Sequence, residues 1–310
     1  MSKILVTGGA GFIGSNLVGG LLAAGYRVSV IDNLLTGKKE NLKPYLSEID
    51  FIEGSILEED KINQAFEGVD YVLHQAALPS VPRSLKEPLA SLENNITITL
   101  KMLEKALSAK VKKFVYASSS SVYGEQAAKV KSEDLPPDPL SPYAVYKFSG
   151  ERLCQIYSKL YGLKTVSLRY FNVFGPNQDP NSAYSAVIPL FIKQMLKGEQ
   201  PTINGDPEIS RDFTYVDNNV SANILAMESA VTGRGEIINI ATGQSVSLSR
   251  LVEEINILLG TKISPIIGEA RPGDINHSLA DISLAKKLIG YEPSVDFKTG
   301  LAKTIDYYRN

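Results

Sequence analysis

The stretch Lys3-Ile-Leu-Val-Thr-Gly-Gly-Ala-Gly-Phe-Ile-Gly-Ser-Asn-Leu17 decides the fold. Its apolar run, Ile4 to Val6, reads as a buried parallel strand. The run breaks at Gly8, after which Phe12, Ile13, Leu17, Leu21 and Leu22 recur with helical period. Gly8, Gly11 and Gly14 have the spacing of a dinucleotide-binding turn. The first permits the tight turn, the second lets a pyrophosphate approach the backbone, and the third lets the helix pack close to the strand. The helix N-terminus adds N–H groups and a partial positive charge for the phosphates. A second strand, Arg27-Val-Ser-Val-Ile-Asp32, ends in an acid about twenty residues on, as this fingerprint requires. A carboxylate there accepts both ribose hydroxyls of an adenosine and repels a 2′-phosphate. Asp32 therefore predicts NAD rather than NADP, although Lys38 and Lys39 lie close by.

Outward from this block, strands and helices alternate, which predicts an α/β fold with a doubly wound parallel sheet of Rossmann type. Strands are expected at 3–7, 27–32, 49–53, 69–73, 112–118 and 164–169, and helices near 12–24, 58–67, 88–109 and 142–161. After about residue 170 the pattern is less regular. The expected division is residues 1–169 with 212–245 as the dinucleotide-binding domain, helix 216–230 and strand 236–240 returning to it. Residues 170–211 with 246–310 would form a smaller C-terminal α/β substrate lobe.

The 310 residues are 44% hydrophobic and 21% charged, an ordinary globular composition with room for a large core. A net charge of −2 argues against nucleic acid or a membrane surface as the main partner. The single cysteine, Cys154, excludes an internal disulfide and a cysteine-rich metal site, and no metal is expected. The early first strand and the lack of a long apolar run predict a cytoplasmic protein without a signal peptide.

Four further stretches carry chemistry. After the third strand, Ser55 and Ile56 are placed to edge an adenine, or Ser55 simply caps a turn. The fourth strand runs into His74-Gln-Ala-Ala77, whose small Ala76 and Ala77 allow close backbone approach at the crevice. His74 reads as a structural hydrogen-bonder, and Pro79 to Ser84 reads as a loop over the same crevice. Ser118 to Ser121 form an ordered serine run at the carboxyl end of the fifth strand. Finally, Tyr143 and Lys147 lie one turn apart on one helical face. A free phenol, with its pKa near 10, is no base at neutral pH. A cation one turn away and a nicotinamide cation beyond it favour the phenolate. The long helix 88–109 carries Leu92, Ile96, Leu100, Leu103 and Leu107, as core or as a partner-facing stripe. Asn95 lies off that stripe.

Together these residues resemble the nucleotide-sugar 4-epimerases of the extended short-chain dehydrogenase/reductase superfamily. The motifs are Thr7-Gly-Gly-Ala-Gly-Phe-Ile-Gly14, His74-Gln-Ala-Ala77, Ser118-Ser-Ser-Ser-Val-Tyr-Gly124, Tyr143 with Lys147, Leu168-Arg-Tyr-Phe-Asn-Val-Phe-Gly-Pro176, Ser210-Arg-Asp-Phe213 and Arg271-Pro-Gly-Asp274. Asn95-Ile-Thr97, Ala186-Val-Ile-Pro189 and Ile203-Asn-Gly-Asp206 resemble the UDP-N-acetylglucosamine 4-epimerases within that family.

The resemblance implies the following roles. Tyr143 takes the proton of the sugar's 4-hydroxyl, Lys147 holds the nicotinamide ribose and depresses the phenol, and Ser119 relays the proton. The NAD contacts extend over Gly8, Gly11, Phe12, Ile13, Asp32, Asn33, Gly37, Ser55, Ile56, Gln75, Ala76, Ala77, Asn95 and Tyr170. Arg211 and Arg271 clamp the diphosphate, and Asn172 touches the substrate's phosphate or its sugar. Ala186, Val187 and Asn204 line the uridine pocket, while Ser80, Ser120 and Asp274 also face the substrate. Ser278 stands where a bulky Tyr would narrow the sugar site. Serine there implies acceptance of UDP-GlcNAc and UDP-GalNAc, with UDP-glucose and UDP-galactose as further substrates. A homodimer through helices near 90–108 and 144–161 is also implied.

Positions 119–122 hold no carboxylate, unlike the related 4,6-dehydratases and UDP-glucuronate decarboxylases, which favours simple inversion. Ser55, Ile98, Asn177 and Tyr146 depart from the family's usual Asp, Gly, Arg and small hydroxyl residue. The competing expectations are a UDP-glucuronate 4-epimerase, an NADPH-using reductase, and a non-catalytic NAD- or RNA-binding relative. The last is opposed by the presence of Tyr143, Lys147 and the serines.

Overall fold

A computed structural model describes residues 1–181, 186–270 and 277–309. The first part of the chain alternates as expected: β1 (Lys3–Thr7), α1 (Phe12–Ala23), β2 (Arg27–Asp32), β3 (Ile49–Glu53), α2 (Glu59–Ala65) and β4 (Tyr71–His74). There follow α3 (Val81–Lys86), α4 (Pro88–Leu92), α5 (Ile98–Ser108), β5 (Lys113–Ser119), β6 (Val130–Lys131), α6 (Pro142–Tyr161) and β7 (Thr165–Tyr170). Beyond these come β8 (Val173–Phe174), α7 (Val187–Leu196), β9 (Thr202–Asn204), β10 (Ser210–Arg211), β11 (Thr214–Tyr215), α8 (Val216–Glu228) and β12 (Glu236–Ile240). The last elements are β13 (Val246–Ser247), α9 (Leu248–Leu259), β14 (Ile266–Gly268), β15 (His277–Ala280), α10 (Ser283–Ile289) and α11 (Phe297–Arg309).

Seven parallel strands form one sheet in the order β12-β7-β5-β4-β1-β2-β3, and its order reverses at β1. Such a reversal leaves a crevice at the strands' carboxyl ends. The inner strands β1, β4, β5 and β7 are almost wholly buried because both faces are covered. Period-2 alternation sends Ile4 and Val6 to one core with Leu17, Val30, Leu168 and Ala222, and Leu5 to the other with Ile31, Met102, Phe114 and Tyr157. A third core, around Phe174, Phe191, Ile203, Phe213 and Leu251, joins α7, α9 and α11 to three small sheets. One of these, β13-β10-β15-β6, sets Arg211 beside Ser278 in parallel register.

Two local expectations change. The span 79–84 is not all loop: Ser80, at φ 100°, accepts the Arg83 N–H on its Oγ and starts α3. Helix 88–109 is interrupted by a π-helical turn at Glu93–Thr97. There the Asn95 amide donates to Ser91 O at 2.6 Å and Leu78 O at 3.1 Å, tying the widened turn to the segment after β4. π turns of this kind concentrate near functional sites.

Candidate active site

Along the carboxyl ends of β1, β2, β4 and β5 runs a cleft of about 820 Å³. The glycine turn forms its floor. Gly8 sits at φ +67°, where a side chain is strained, and a Cβ on Gly14 would collide with the Gly8 carbonyl oxygen. Asp32 stands at the end of β2, its carboxylate accepting the Ala10 N–H at 2.9 Å and the Leu34 N–H at 2.8 Å. Burial raises its pKa above the usual carboxylate range, and the two backbone donors oppose that rise. Lys38 and Lys39 are already engaged, by Asp179 at 2.9 Å and Glu53 at 3.0 Å. Neither is an idle cation waiting for a 2′-phosphate. The floor, the buried acid and the paired lysines fit NAD.

Of the predicted cofactor contacts, Phe12, Ile13, Asn33, Gly37, Ser55, Ile56, Gln75, Ala76, Ala77 and Tyr170 line this cleft with Gly8, Gly11 and Asp32. Ser55 Oγ also accepts the Leu57 N–H at 3.1 Å, so it caps the turn as well as facing the cleft. Tyr170 and Gln75 are locked together with Asn223: the Tyr170 hydroxyl donates to Gln75 and accepts from Asn223, and Gln75 donates to Asn223. Asn95 is 1% exposed and stands behind the wall, where it holds the Leu78 carbonyl. His74 is fully buried between Thr7 and Thr99, at 2.7 and 3.0 Å, as a structural residue.

α6 supplies the opposite wall. Ser141 caps it by accepting the Ala144 N–H, and Pro142 occupies its first turn, where no N–H is missed. Tyr143 and Lys147 both line the cleft from this helix, as does Ser80 from the start of α3. Lys147 Nζ donates to Ala117 O at 2.8 Å and lies 6.0 Å from the centre of the Tyr143 ring. Burial pushes the Tyr143 phenol up to about 12, against the pull of a hydrogen bond from Ser119. The expected depression by Lys147 is thus not found: its ammonium is turned to the Ala117 carbonyl, and the pull that opposes burial comes from Ser119. Lys147 is itself pushed down to about 7 by burial. Within the serine run the side chains part ways. Ser119 pulls on the Tyr143 phenol and accepts the Ser121 N–H at 3.2 Å, whereas Ser118 donates to the buried Glu151 at 2.6 Å. Ser120 opens the short turn Ser120–Tyr123 and lines neither cavity.

A second cavity of about 260 Å³ adjoins the cleft, and Ala186 lines both. Asn172, Val187, Asn204 and Arg211 line it too, together with Phe191 and Phe213, which the sequence reading did not single out. Its neighbour Ser278 is 8% exposed on β15. Asp212 does not pair with Arg211. Its buried carboxylate takes the N–H groups of Thr242, Gly243 and Ala280, joining the β12 end to β15. The segment after Pro176, which the sequence marks only by Asn177 in place of the family's usual Arg, also borders the cleft. Asn177 donates to Ser15 Oγ at 3.0 Å, and Asp179 reaches Lys38 across 141 residues of chain, a pairing without local signal. Arg271 and Asp274 lie outside the described residues. Among the described residues no helix is long and apolar enough to cross a membrane, and no cluster of three His, Cys, Asp or Glu could hold a metal.

The sequence profile of the NAD dependent epimerase/dehydratase family matches residues 4–241. A UDP-glucose 4-epimerase of Mycolicibacterium smegmatis is 36% identical over 312 residues, covering 99% of each chain. Among solved structures, the UDP-N-acetylglucosamine 4-epimerase from Methanobrevibacter ruminantium in complex with UDP-N-acetylmuramic acid has a TM-score of 0.94 at 43% identity. It covers 99% of this chain and 98% of its own. A UDP-glucuronic acid 4-epimerase from Bacillus cereus, bound to UDP-glucuronic acid and NAD, has a TM-score of 0.91 at 38% identity, with 99% of both chains covered. The chain belongs to the NAD dependent epimerase/dehydratase family, the extended branch of the short-chain dehydrogenase/reductases, and NAD is its cofactor.

Proposed function

We propose that the protein is an NAD-dependent UDP-sugar 4-epimerase that interconverts UDP-GlcNAc and UDP-GalNAc, with UDP-glucose and UDP-galactose as further substrates. One observation carries this reading. Tyr143, its phenol drawn down by Ser119, faces a dinucleotide cleft that shares a wall at Ala186 with a smaller cavity holding Arg211. A sugar joined to uridine diphosphate spans two such spaces. Residues 170–211 and 246–310 act as the lobe that grips it.

In this reading Tyr143 accepts the proton of the 4-hydroxyl, with Ser119 bridging sugar and phenol. Lys147 supplies the positive charge that holds the phenolate. NAD, when bound, would supply the hydride acceptor and donor for the sugar's C4. Arg211, with Arg271, keeps the diphosphate fixed while the 4-keto sugar turns, a task suited to a permanently charged guanidinium. Tyr143 then returns the proton, and hydride, proton and charge all balance over the cycle. Asn172 contacts the substrate's phosphate or sugar, Val187 and Asn204 the uridine, and Ser80 and Asp274 the substrate's flanks, whereas Ser120, which lines neither cavity, takes no part in this reading. Serine at 278 leaves room for an N-acetyl group. The absence of a carboxylate at 119–122 favours inversion over elimination or decarboxylation.

The active species is a homodimer formed through α5 and α6. Leu100 is 40% exposed on α5, and Ile156 and Leu160 are 43% and 66% exposed on α6. Leu103, by contrast, belongs to the core. A second copy covers such a stripe more readily than water does.

The test offers purified protein UDP-GlcNAc, UDP-glucose and UDP-glucuronate separately, with catalytic NAD only, and separates the products. The expected result is UDP-GalNAc in large molar excess over enzyme and NAD. Conversion of UDP-glucose alone refutes the gate at Ser278. Conversion of UDP-glucuronate alone, or demand for stoichiometric cofactor, refutes the proposed function.

A further inference from the structure

One turn beyond Lys147 on α6 lies Glu151, fully buried. Arg169 of β7 grips it with two charge-assisted bonds, Nε to Oε1 at 2.7 Å and Nη2 to Oε2 at 2.8 Å. Ser118 donates to the same Oε1 at 2.6 Å. The Arg169 guanidinium lies 4.5 Å from the centre of the Tyr123 ring, whose hydroxyl donates to Asn239 on β12 at 2.7 Å. The carboxylate is therefore fixed from β5, β7 and α6 at once, with the pair's positive end turned toward Tyr123.

An ion pair is not the most stable way to join a strand to a helix. Well-packed apolar residues of similar volume do so equally well or better, because both ions must be stripped of water. What apolar residues cannot supply is negative charge one turn from a buried lysine. The titratable groups that face Lys147 are Tyr143 and Glu151 on its own helix, Tyr116 on β5 and His74 on β4. Burial holds Tyr116 as the phenol and His74 as the neutral imidazole. Glu151 is the carboxylate of the set.

We propose that Glu151, clamped by Arg169 and Ser118, is a positioning residue that acts through Lys147 as its buried counter-ion and keeps the ammonium available to the Tyr143 phenolate. The inference rests on the proposed roles of Tyr143 and Lys147. Burial drives Lys147 toward the neutral amine, and Glu151 is the group that opposes this drift. A cationic nicotinamide in the cleft adds to the drift, so the counter-ion matters most in the holoenzyme. Arg169, in turn, holds the Glu151 carboxylate in place with its two bonds.

The experiment measures the pH profile of kcat for 4-epimerisation in the NAD-loaded enzyme. It compares wild type, E151D, and the double variant E151Q/R169M, which leaves no unpaired buried arginine. Without the anion, Lys147 loses its proton at lower pH. The alkaline limb of the double variant is expected to move acidward by about one unit or more, a fall of about tenfold or more in kcat on that limb. KM, bound NAD and thermal stability should stay near wild type. E151D, which keeps the charge, should hold the limb near its original position. A folded double variant with an unmoved limb overturns the proposal, as does an E151D limb displaced as far as the double's. Should E151Q/R169M not fold, E151M/R169L carries the same readout. Y143F separates the two possible failures: full turnover in Y143F means the underlying reading has failed, whereas a dead Y143F with an unmoved double-variant limb refutes Glu151 alone.

Discussion

Replacing Ser119 by alanine tests the proton relay at one atom. Its hydroxyl pulls the Tyr143 phenol down, against the burial that holds it up at about 12; in the proposed role it bonds the phenol oxygen. That bond strengthens as the phenol becomes charged. A hydrogen bond to a charged group contributes roughly 1.5–3 kcal/mol, so its loss should lower kcat about 10- to 150-fold. The acid limb of the profile should move to higher pH, because the phenol is then harder to ionise. KM should change little if the bond matters mainly in the transition state. The neighbouring S118A is the control. Ser118 Oγ is committed to Glu151, so this change should lower Tm and leave the acid limb in its wild-type place, any loss of kcat falling on the alkaline limb. The assay is initial-rate product separation from pH 6 to 10. An S119A enzyme within threefold of wild type throughout, beside an S118A enzyme crippled in kcat on the acid limb, would refute the assignment and exchange the two serines.

Three further outcomes follow from the same geometry. S278Y places a ring at a site that is 8% exposed, beside Arg211; it should reduce UDP-GlcNAc turnover about a hundredfold while UDP-glucose stays within a few-fold, and equal losses would refute the gate. His74 is pushed down from 6.5 to about 3 by burial, so it stays neutral in the fold while the unfolded chain protonates it. Its contribution is complete above pH 6.5 and is lost as pH falls toward 3, at most about 5 kcal/mol. H74Q should flatten the pH slope of the urea-unfolding free energy in that window, and coincident slopes would contradict the burial argument. Finally, I156K/L160K should convert a dimer to a monomer in light scattering with little loss of Tm, and an unchanged dimer would place the interface elsewhere.

What could be read in the chain was local. The glycine turn, Asp32 at the end of its strand, and Tyr143 with Lys147 at helical spacing each carry their chemistry within a few residues, and each stands in the cleft. Asn95 was readable as an unusual polar residue but not as the anchor of a π turn, because its partner carbonyl on Leu78 is seventeen residues away. Ser80 was read within a loop rather than as a helix cap because α3 is only 6 residues long and too short to show a helical period. Glu151 with Arg169, Asp212 with the Thr242 turn, and Lys38 with Asp179 are pairings between distant elements. Only the assembled sheet makes them neighbours. Ile98, which departs from the family's usual glycine, is 5% exposed on the cleft wall directly after the π turn, where its side chain packs with the core.

The central claim is that hydride leaves and returns to the same carbon within one bound cofactor and substrate. The most direct measurement uses UDP-GlcNAc deuterated at C4, turned over to equilibrium with UDP-GalNAc, with a parallel reaction of unlabelled sugar in D2O. The account predicts that the product keeps its deuterium at C4 and that none enters from solvent. Loss of the label, or uptake of solvent deuterium at C4, would contradict it.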